Sequence, residues 1–447
     1  MKNIITEKVV TDLWLLRHAE VMTADTGAVI HVLYAGRVSK KPGCDLQDAV
    51  VLINGRKTYG DIEIHVTSDL WNSHGHHLDP GSNNVILHVA MWDKGHLPVR
   101  RQNGEMVPTI ILDKFSGERT NKVTQPRQPR KFACNQINAR NGNERVYAIL
   151  RHAGVERFHH KCQKFFDELI KDDPAQVLYK NILRAMGYSR NTDAFERLAE
   201  VLPLKFITDD LMEDDYTLRA CLFGAAGLLP SQKHDYIAPL QDEEAALLER
   251  EWRQRCSTLQ GLQRQQWCFN YIYPENYPPR RLAAIGCLLT RYRHIGLLAG
   301  LQELVEKASH SNGNASRLLE DGLIINCESY WSYHLDFGTG RQKGSALLGR
   351  SKASEIVTNV ILPYFAARAK RNRDHETFSR IMDIYDDYHA LPENELTAYM
   401  KKHLLLQEAA GLKACYQQGL LHIYHSYCRY KECQVCPLFR CRRQGWG

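Results

Sequence analysis

The chain has 447 residues, 44% of them hydrophobic and 24% charged, which are ordinary globular values and exclude a disordered, collagen-like or coiled-coil protein as the overall class. The formal net charge of +7 is a mild excess, so its placement matters more than its size. Glu7 and Asp12 interrupt the stretch where a signal peptide needs an apolar core, and no run reaches the roughly 18–20 apolar residues a membrane span requires. A soluble, cytoplasmic protein with no membrane partner is expected.

The first segment, ITEKVVTDLWLLRHAEV, carries apolar residues at helical spacing and reads as a leading helix. Four short β-branched runs follow: AVIHVLY (28–34), DAVVLI (48–53), DIEIHV (61–66) and NNVILHVAMW (83–92). Asn54-Gly55 between the second and third is a hairpin signal. Residues 1–117 therefore read as an α/β module, within a chain that is α+β as a whole.

In DIEIHV the side chains alternate: Ile62, Ile64 and Val66 point one way, Asp61, Glu63 and His65 the other. Asp45 stands at the mouth of the preceding strand. A hairpin closed over about four residues sets Asp48 opposite Glu63, and a two-residue turn sets Leu46 there. Two neighbouring carboxylates repel and are best tolerated around a divalent cation. Such an ion polarises a phosphate and acidifies a bound water. The alternative is that Asp45 caps a turn while Glu63 and His65 form a solvated sheet face. Five of the 20 histidines fall between His65 and His88, within SDLWNSHGHHLDP and the strand after it. The cluster is metal-like in composition but has no fixed ligand spacing, and His88 inside its strand reads first as a bonded core histidine.

Residues 118–164 form a basic linker and entry helix, with eleven Lys and Arg against three Glu. Arg127, Arg130 and Lys131 are the candidates there for gripping an anionic backbone, a solvated loop being the alternative. From 165 to 426 the chain reads helical, with no fixed-period repeat. Within it PENYPPRRLAAIG sets Arg280 and Arg281 in a first helical turn. The helix dipole disfavours cations there unless an anion or a salt bridge is near.

Nine of the 13 cysteines are scattered, unlike a secreted disulfide framework. The others close the chain at 427–447 as C-x4-C-x2-C-x4-C: Cys428, Cys433, Cys436 and Cys441. Four thiolates so close suit one Zn2+ or one 4Fe-4S cluster. Arg429 and Arg442, interleaved with tyrosines, suit a phosphate backbone.

Two resemblances follow. GCDLQDAV, YGDIEIHV, SDLWNSHGHHLDP, NNVILHV and MVPTIIL resemble successive signatures of the bacterial domain-of-unknown-function family 2851. So do the later blocks CLFGAAGLL, YPENYPPRRLAAIG and YCRYKECQVCPL, so nearly the full chain is covered. That likeness implies bacterial origin and a shared architecture but no activity. Separately, Asp45 before one strand and Glu63-Ile64-His65 on the next resemble the PD-(D/E)XK nuclease-like superfamily, with Cys44 in the place of proline and His65 in the place of lysine. This second likeness implies a nuclease acting on DNA or RNA, with Asp45, Glu63, His65 and Asp48 around Mg2+ or Mn2+. A non-catalytic nucleic-acid-binding protein on a degenerate nuclease fold, or a protein-interaction scaffold with a structural metal, are the rival readings.

Overall fold

The computed structural model describes the chain apart from residues 1–4, 18–19, 40–42, 96–97, 116–142, 189, 208–214, 234–241, 257–258, 271, 312, 327–328, 407–410 and 441–447. Arg127, Arg130, Lys131, Cys441 and Arg442 therefore lie outside the described residues. The chain divides into two compact units. The first joins Met1–Val146, Glu395–Leu406 and Ile423–Gly447; the second joins Tyr147–Asn394 and Gln407–His422. The sequence suggested four consecutive segments (1–117, 118–164, 165–426 and 427–447). The units instead interleave, because contacts between distant segments decide compactness and leave no periodicity in a linear sequence.

The first unit is built on a seven-stranded mixed sheet. Its strands are β1 (Val21–Thr23), β2 (Val29–Tyr34), β3 (Arg37–Val38), β4 (Leu46–Ile53), β5 (Arg56–Thr67), β6 (Val85–Trp92) and β7 (Thr109–Ile111). The spatial order is β1-β2-β4-β5-β6-β7, with β3 also paired to β4. Neighbours are antiparallel from β1 to β5, whereas β5, β6 and β7 run parallel. A parallel step needs a crossover. Between β5 and β6 it is supplied by the short helix α2 (Leu70–Ser73) and a 3-10 turn over Pro80–Asn84.

Helix α1 (Glu7–Leu15) packs one face of the sheet. Its inward positions Val10 and Trp14 are fully buried, and Trp14 Nε1 donates to the Ala35 carbonyl at 3.0 Å. Ile62, Ile64, Leu87 and Val89 belong to the same apolar core. The opposite side is closed by a smaller cluster around Trp71 of α2, with Val85, Val99 and Val107. β5 is thus covered on both faces. That disposes of the alternative in which Glu63 and His65 form a solvated sheet face: Glu63 is 5% and His65 1% exposed.

The second unit is helical with one large apolar core. Its 29-residue helix Asn143–Lys171 begins just before the unit boundary. This helix crosses Ala414–Ile423 closely. A Cβ at Gly154 would stand 2.0 Å from the Cys415 carbonyl oxygen, and one at Gly419 would stand 2.0 Å from that of Leu150, so only glycine permits the approach. Cys221 and Cys256 are joined by a disulfide.

Arg280 and Arg281 do open a helix, Pro278–Arg291. Backbone carbonyls, rather than a carboxylate, receive Arg280. Its guanidinium is fully buried and donates to the backbone carbonyls of Ser332 at 3.2 Å and of His334, Ser345 and Ala346 at 3.2–3.3 Å. Arg281 reaches the Leu347 carbonyl at 2.9 Å and Asn276 Oδ1 at 2.6 Å. The two arginines staple an irregular segment onto the helix start, five donors in a fixed fork meeting several carbonyls at once.

Candidate metal centre

The site begins with the hairpin. Asn54 and Gly55 have φ of 50° and 81°, the two positive values a two-residue I′ turn demands. Ile53 accordingly pairs with Arg56, and the register runs regularly to Ala49 opposite Gly60. Carried further it would set Leu46 opposite Glu63. Instead Leu46 pairs with Ile62. Gln47 and Asp48 together oppose Asp61, and Asp48 has a φ of 57°. This bulge shifts the strand by one residue, and the Asp48 amide donates to Asp61 Oδ1 at 3.1 Å.

The bulge separates the expected acids. Asp45 stays with the site: its Oδ2 accepts the Ile64 amide at 2.8 Å. Asp48 does not. Its carboxylate bonds the Tyr424 hydroxyl and lies 3.1 Å from Arg429 Nε and 3.7 Å from Arg37 Nη2. Arg37 also holds Glu395 at 2.6 Å and Gln47 at 2.7 Å. Asp48 is therefore a structural counter-ion, and Arg429, assigned from sequence to a phosphate backbone, is engaged by it.

Four imidazoles gather beside Glu63, with the rings of His74, His76 and His88 all packed against His65. His65 lies on β5 and His88 faces it from β6, with His65 Nδ1 3.0 Å from His88 Nε2. His88 is fully buried, and its Nδ1 lies 3.3 Å from Thr109 Oγ1 on β7. His74 and His76 come from the turn after α2. Trp71 anchors that turn: its ring is fully buried, its Nε1 donates to the Arg100 carbonyl at 2.9 Å, and its carbonyl accepts the His76 amide at 3.2 Å. His74 Nδ1 sits 3.2 Å from His65 Nε2, and His76 Nε2 sits 3.1 Å from Glu63 Oε1. One nitrogen from each of His65, His74 and His76 falls within 4.8 Å of the other two, the spacing of ligands to one ion.

The electrostatics follow from burial. Removing the charged forms from water pushes the Glu63 carboxyl up to about 9, with the Asp45 charge adding to the effect, and lifts Asp45 to about 6. The same burial, reinforced by the neighbouring imidazoles, lowers His65 to about 2 and His88 to about 3, and also lowers His76. The rings are neutral and present lone pairs. Glu7 of α1, which the sequence reading did not select, adds a second negative charge toward both Asp45 and Glu63. Buried Glu63 Oε2 and His76 Nε2 have no hydrogen-bond partner. The close Glu63–His76 approach is thus a contact without hydrogen-bond alignment, and an ion between them would satisfy both.

The chain belongs to the DUF2851 family, described as a protein of unknown function. The match runs over residues 7–394. No curated protein and no solved structure matches the chain significantly. The DUF2851 region contains α1, the whole sheet, Asp45, Glu63 and the histidine cluster, whereas the terminal cysteines follow it. Of these, Cys428, Cys433 and Cys436 line one cavity of about 30 Å³ together with His403 and Leu438. The Cys436 amide donates to the Cys433 carbonyl at 3.2 Å, closing the C-x2-C turn. Among the described residues, no helix is long and apolar enough to cross a membrane.

Proposed function

We propose that this protein is a metal-dependent phosphodiester hydrolase acting on nucleic acid, built on a PD-(D/E)XK-like core. One observation carries the reading: Asp45 and Glu63 are brought together across the mouth of the β4–β5 hairpin, where Asp45 accepts the amide of the residue after Glu63 at 2.8 Å. The element order supports it. Helix α1, five antiparallel-paired strands (β1–β5), a short helix and the parallel strand β6 follow one another, with one acid just before β4 and acid-x-His on β5. Asp45 and Glu63 would hold Mg2+ or Mn2+, which supplies charge to a phosphate oxygen and acidifies a water. His65, expected from the sequence to position or deprotonate the attacking water, is held neutral by burial and oriented by His88, so its role is to fix the position of that water. The basic stretch 118–164 lends salt-sensitive affinity for the backbone, and the terminal cysteines take Zn2+ or a 4Fe-4S cluster.

The neutrality of His65 favours a second reading. The superfamily lysine is a fixed cation, whereas burial keeps this imidazole uncharged down to a pKa of about 2. A protein that binds nucleic acid without cutting it would tolerate that change. Incubation with labelled DNA and RNA in Mn2+ or Mg2+ separates the two. Metal-dependent cleavage that Glu63→Ala abolishes, with binding kept, supports the hydrolase. Salt-dependent binding with no cleavage in either metal supports the second reading, and absence of both binding and cleavage rejects the two together.

A further inference from the structure

We propose that His65, His74 and His76, with Glu63 as the fourth ligand, form a centre for one borderline transition-metal ion of the zinc class, which the magnesium-type reading of the two acids leaves out. The inference shares the proposed site but does not depend on cleavage.

The donor set is the first argument. Imidazole nitrogen is a borderline ligand that selects zinc, cobalt, nickel or copper, while magnesium takes oxygen and keeps its water. Three imidazoles with one carboxylate is a zinc-type set.

The spacing is the second. Donors on a tetrahedral ion with bonds near 2.0–2.1 Å stand about 3.3 Å apart. Here His65 Nε2 and His74 Nδ1 are 3.2 Å apart, His76 Nε2 and Glu63 Oε1 are 3.1 Å apart, and His65 Nε2 lies 4.0 Å from the same carboxylate oxygen. Of the six edges of that tetrahedron, two are already at length and a third is long by under 1 Å, and the three imidazole donors all lie within 4.8 Å of one another.

The surroundings are the third. A metal-bound imidazole normally directs its other nitrogen to a partner that fixes the tautomer. His65 Nδ1 meets His88 Nε2 at 3.0 Å, and His88 Nδ1 meets Thr109 Oγ1 at 3.3 Å. With each Nδ1–H donating outward along that chain, the His65 Nε2 lone pair faces the cluster. His76 Nδ1 similarly lies 3.5 Å from Ser82 Oγ. Finally, Glu63 Oε2 and His76 Nε2 are buried without hydrogen-bond partners, although Glu63 is 95% covered. Buried polar atoms left unpaired in a folded protein call for an explanation, and a shared cation supplies one.

The test is cobalt(II) and zinc(II) binding by the full-length, metal-stripped protein. Thiolates at the terminal cysteines would compete for these ions, so Cys433→Ser/Cys436→Ser is compared with His74→Asn/His76→Asn. Both histidines sit on a turn at the edge of the fold, and circular dichroism checks that each variant is folded. The expected result is one equivalent retained in the cysteine variant, with visible cobalt bands and no thiolate charge-transfer absorption. That equivalent disappears in the histidine variant, with affinity at least about 100-fold weaker. Equal stoichiometry and affinity in the wild type and the histidine variant overturn the centre, as does displacement of the ion by equimolar Mg2+. A protein that binds the ion through His74 and His76 yet cuts nothing keeps the centre and rejects the hydrolase. A histidine variant that cuts with Mg2+ as well as the wild type and still binds the ion as the wild type does keeps the hydrolase and rejects the centre.

Discussion

Glu63→Gln in metal-free protein should stabilise the fold. The carboxyl is 5% exposed and one oxygen has no partner, and burial holds its pKa up at about 9. In the unfolded chain a Glu ionises near pH ~4.3. Between those values the folded chain keeps a proton that the unfolded chain has released. Stability is therefore fully present below about pH 4.3 and falls as pH rises toward about 9, by roughly 1.4 kcal/mol per unit. From about 4.3 to 7 that amounts to roughly 3–4 kcal/mol, and water reaching the exposed His74 side of the cluster reduces it to about 2–3 kcal/mol. Glutamine fills the same volume without the charge. Urea denaturation in EDTA should show the variant about 2–3 kcal/mol more stable near pH 7.5 and nearly equal to the wild type near pH 4.5. Amide exchange should place the gain in β5 and β6. Saturating Zn2+ should reverse the order, because only the carboxylate is a ligand. A variant less stable than the wild type in EDTA at pH 7.5 would refute the claim that this carboxylate is buried at a cost.

Asp48→Asn removes the counter-ion of Arg429 and Arg37 and should cost about 1–2 kcal/mol by denaturation, while metal stoichiometry stays unchanged because Asp48 lies outside the centre. Gly154→Ala should destabilise the helical unit by about 1–2 kcal/mol, the overpacking against the Cys415 carbonyl exceeding the roughly 1 kcal/mol of helix propensity gained; thermal melting reads it. Glu320→Ala should cost about 1–3 kcal/mol, since the fully buried Tyr388 hydroxyl loses the carboxylate it bonds at 2.7 Å, whereas half-exposed Arg350 keeps Asp321 at 2.7 Å; chemical denaturation reads it.

The alternation in DIEIHV and the Asn54-Gly55 turn were enough to place Glu63 and His65 on one side of a strand next to Asp45. They could not place Asp48. This bulge carries a positive φ at Asp48, a residue that is not glycine, and no spacing rule announces that. The convergence of His74 and His76 on His65 was equally hidden. It rests on a four-residue helix whose position is set by the burial of Trp71, a tertiary contact. The density of histidines between 65 and 88 was the one signal available, and it pointed to a metal without naming the ligands. The burial of Glu63 was missed because DIEIHV alternates as a half-exposed strand does, yet the cluster around Trp71 of α2, with Val85, Val99 and Val107, closes that face. Arg280 shows the opposite failure. The sequence asked for a carboxylate or an anion, and the fold answered with backbone carbonyls from an irregular segment that no pattern announces.

The most direct measurement is single-turnover cleavage of a labelled oligonucleotide by wild type and by Asp45→Asn, at matched substrate occupancy and saturating metal. The account expects a loss of about 100-fold or more in the cleavage rate for Asp45→Asn, with binding unchanged. Equal rates in the two proteins, or no metal-dependent cleavage by wild type, would contradict it.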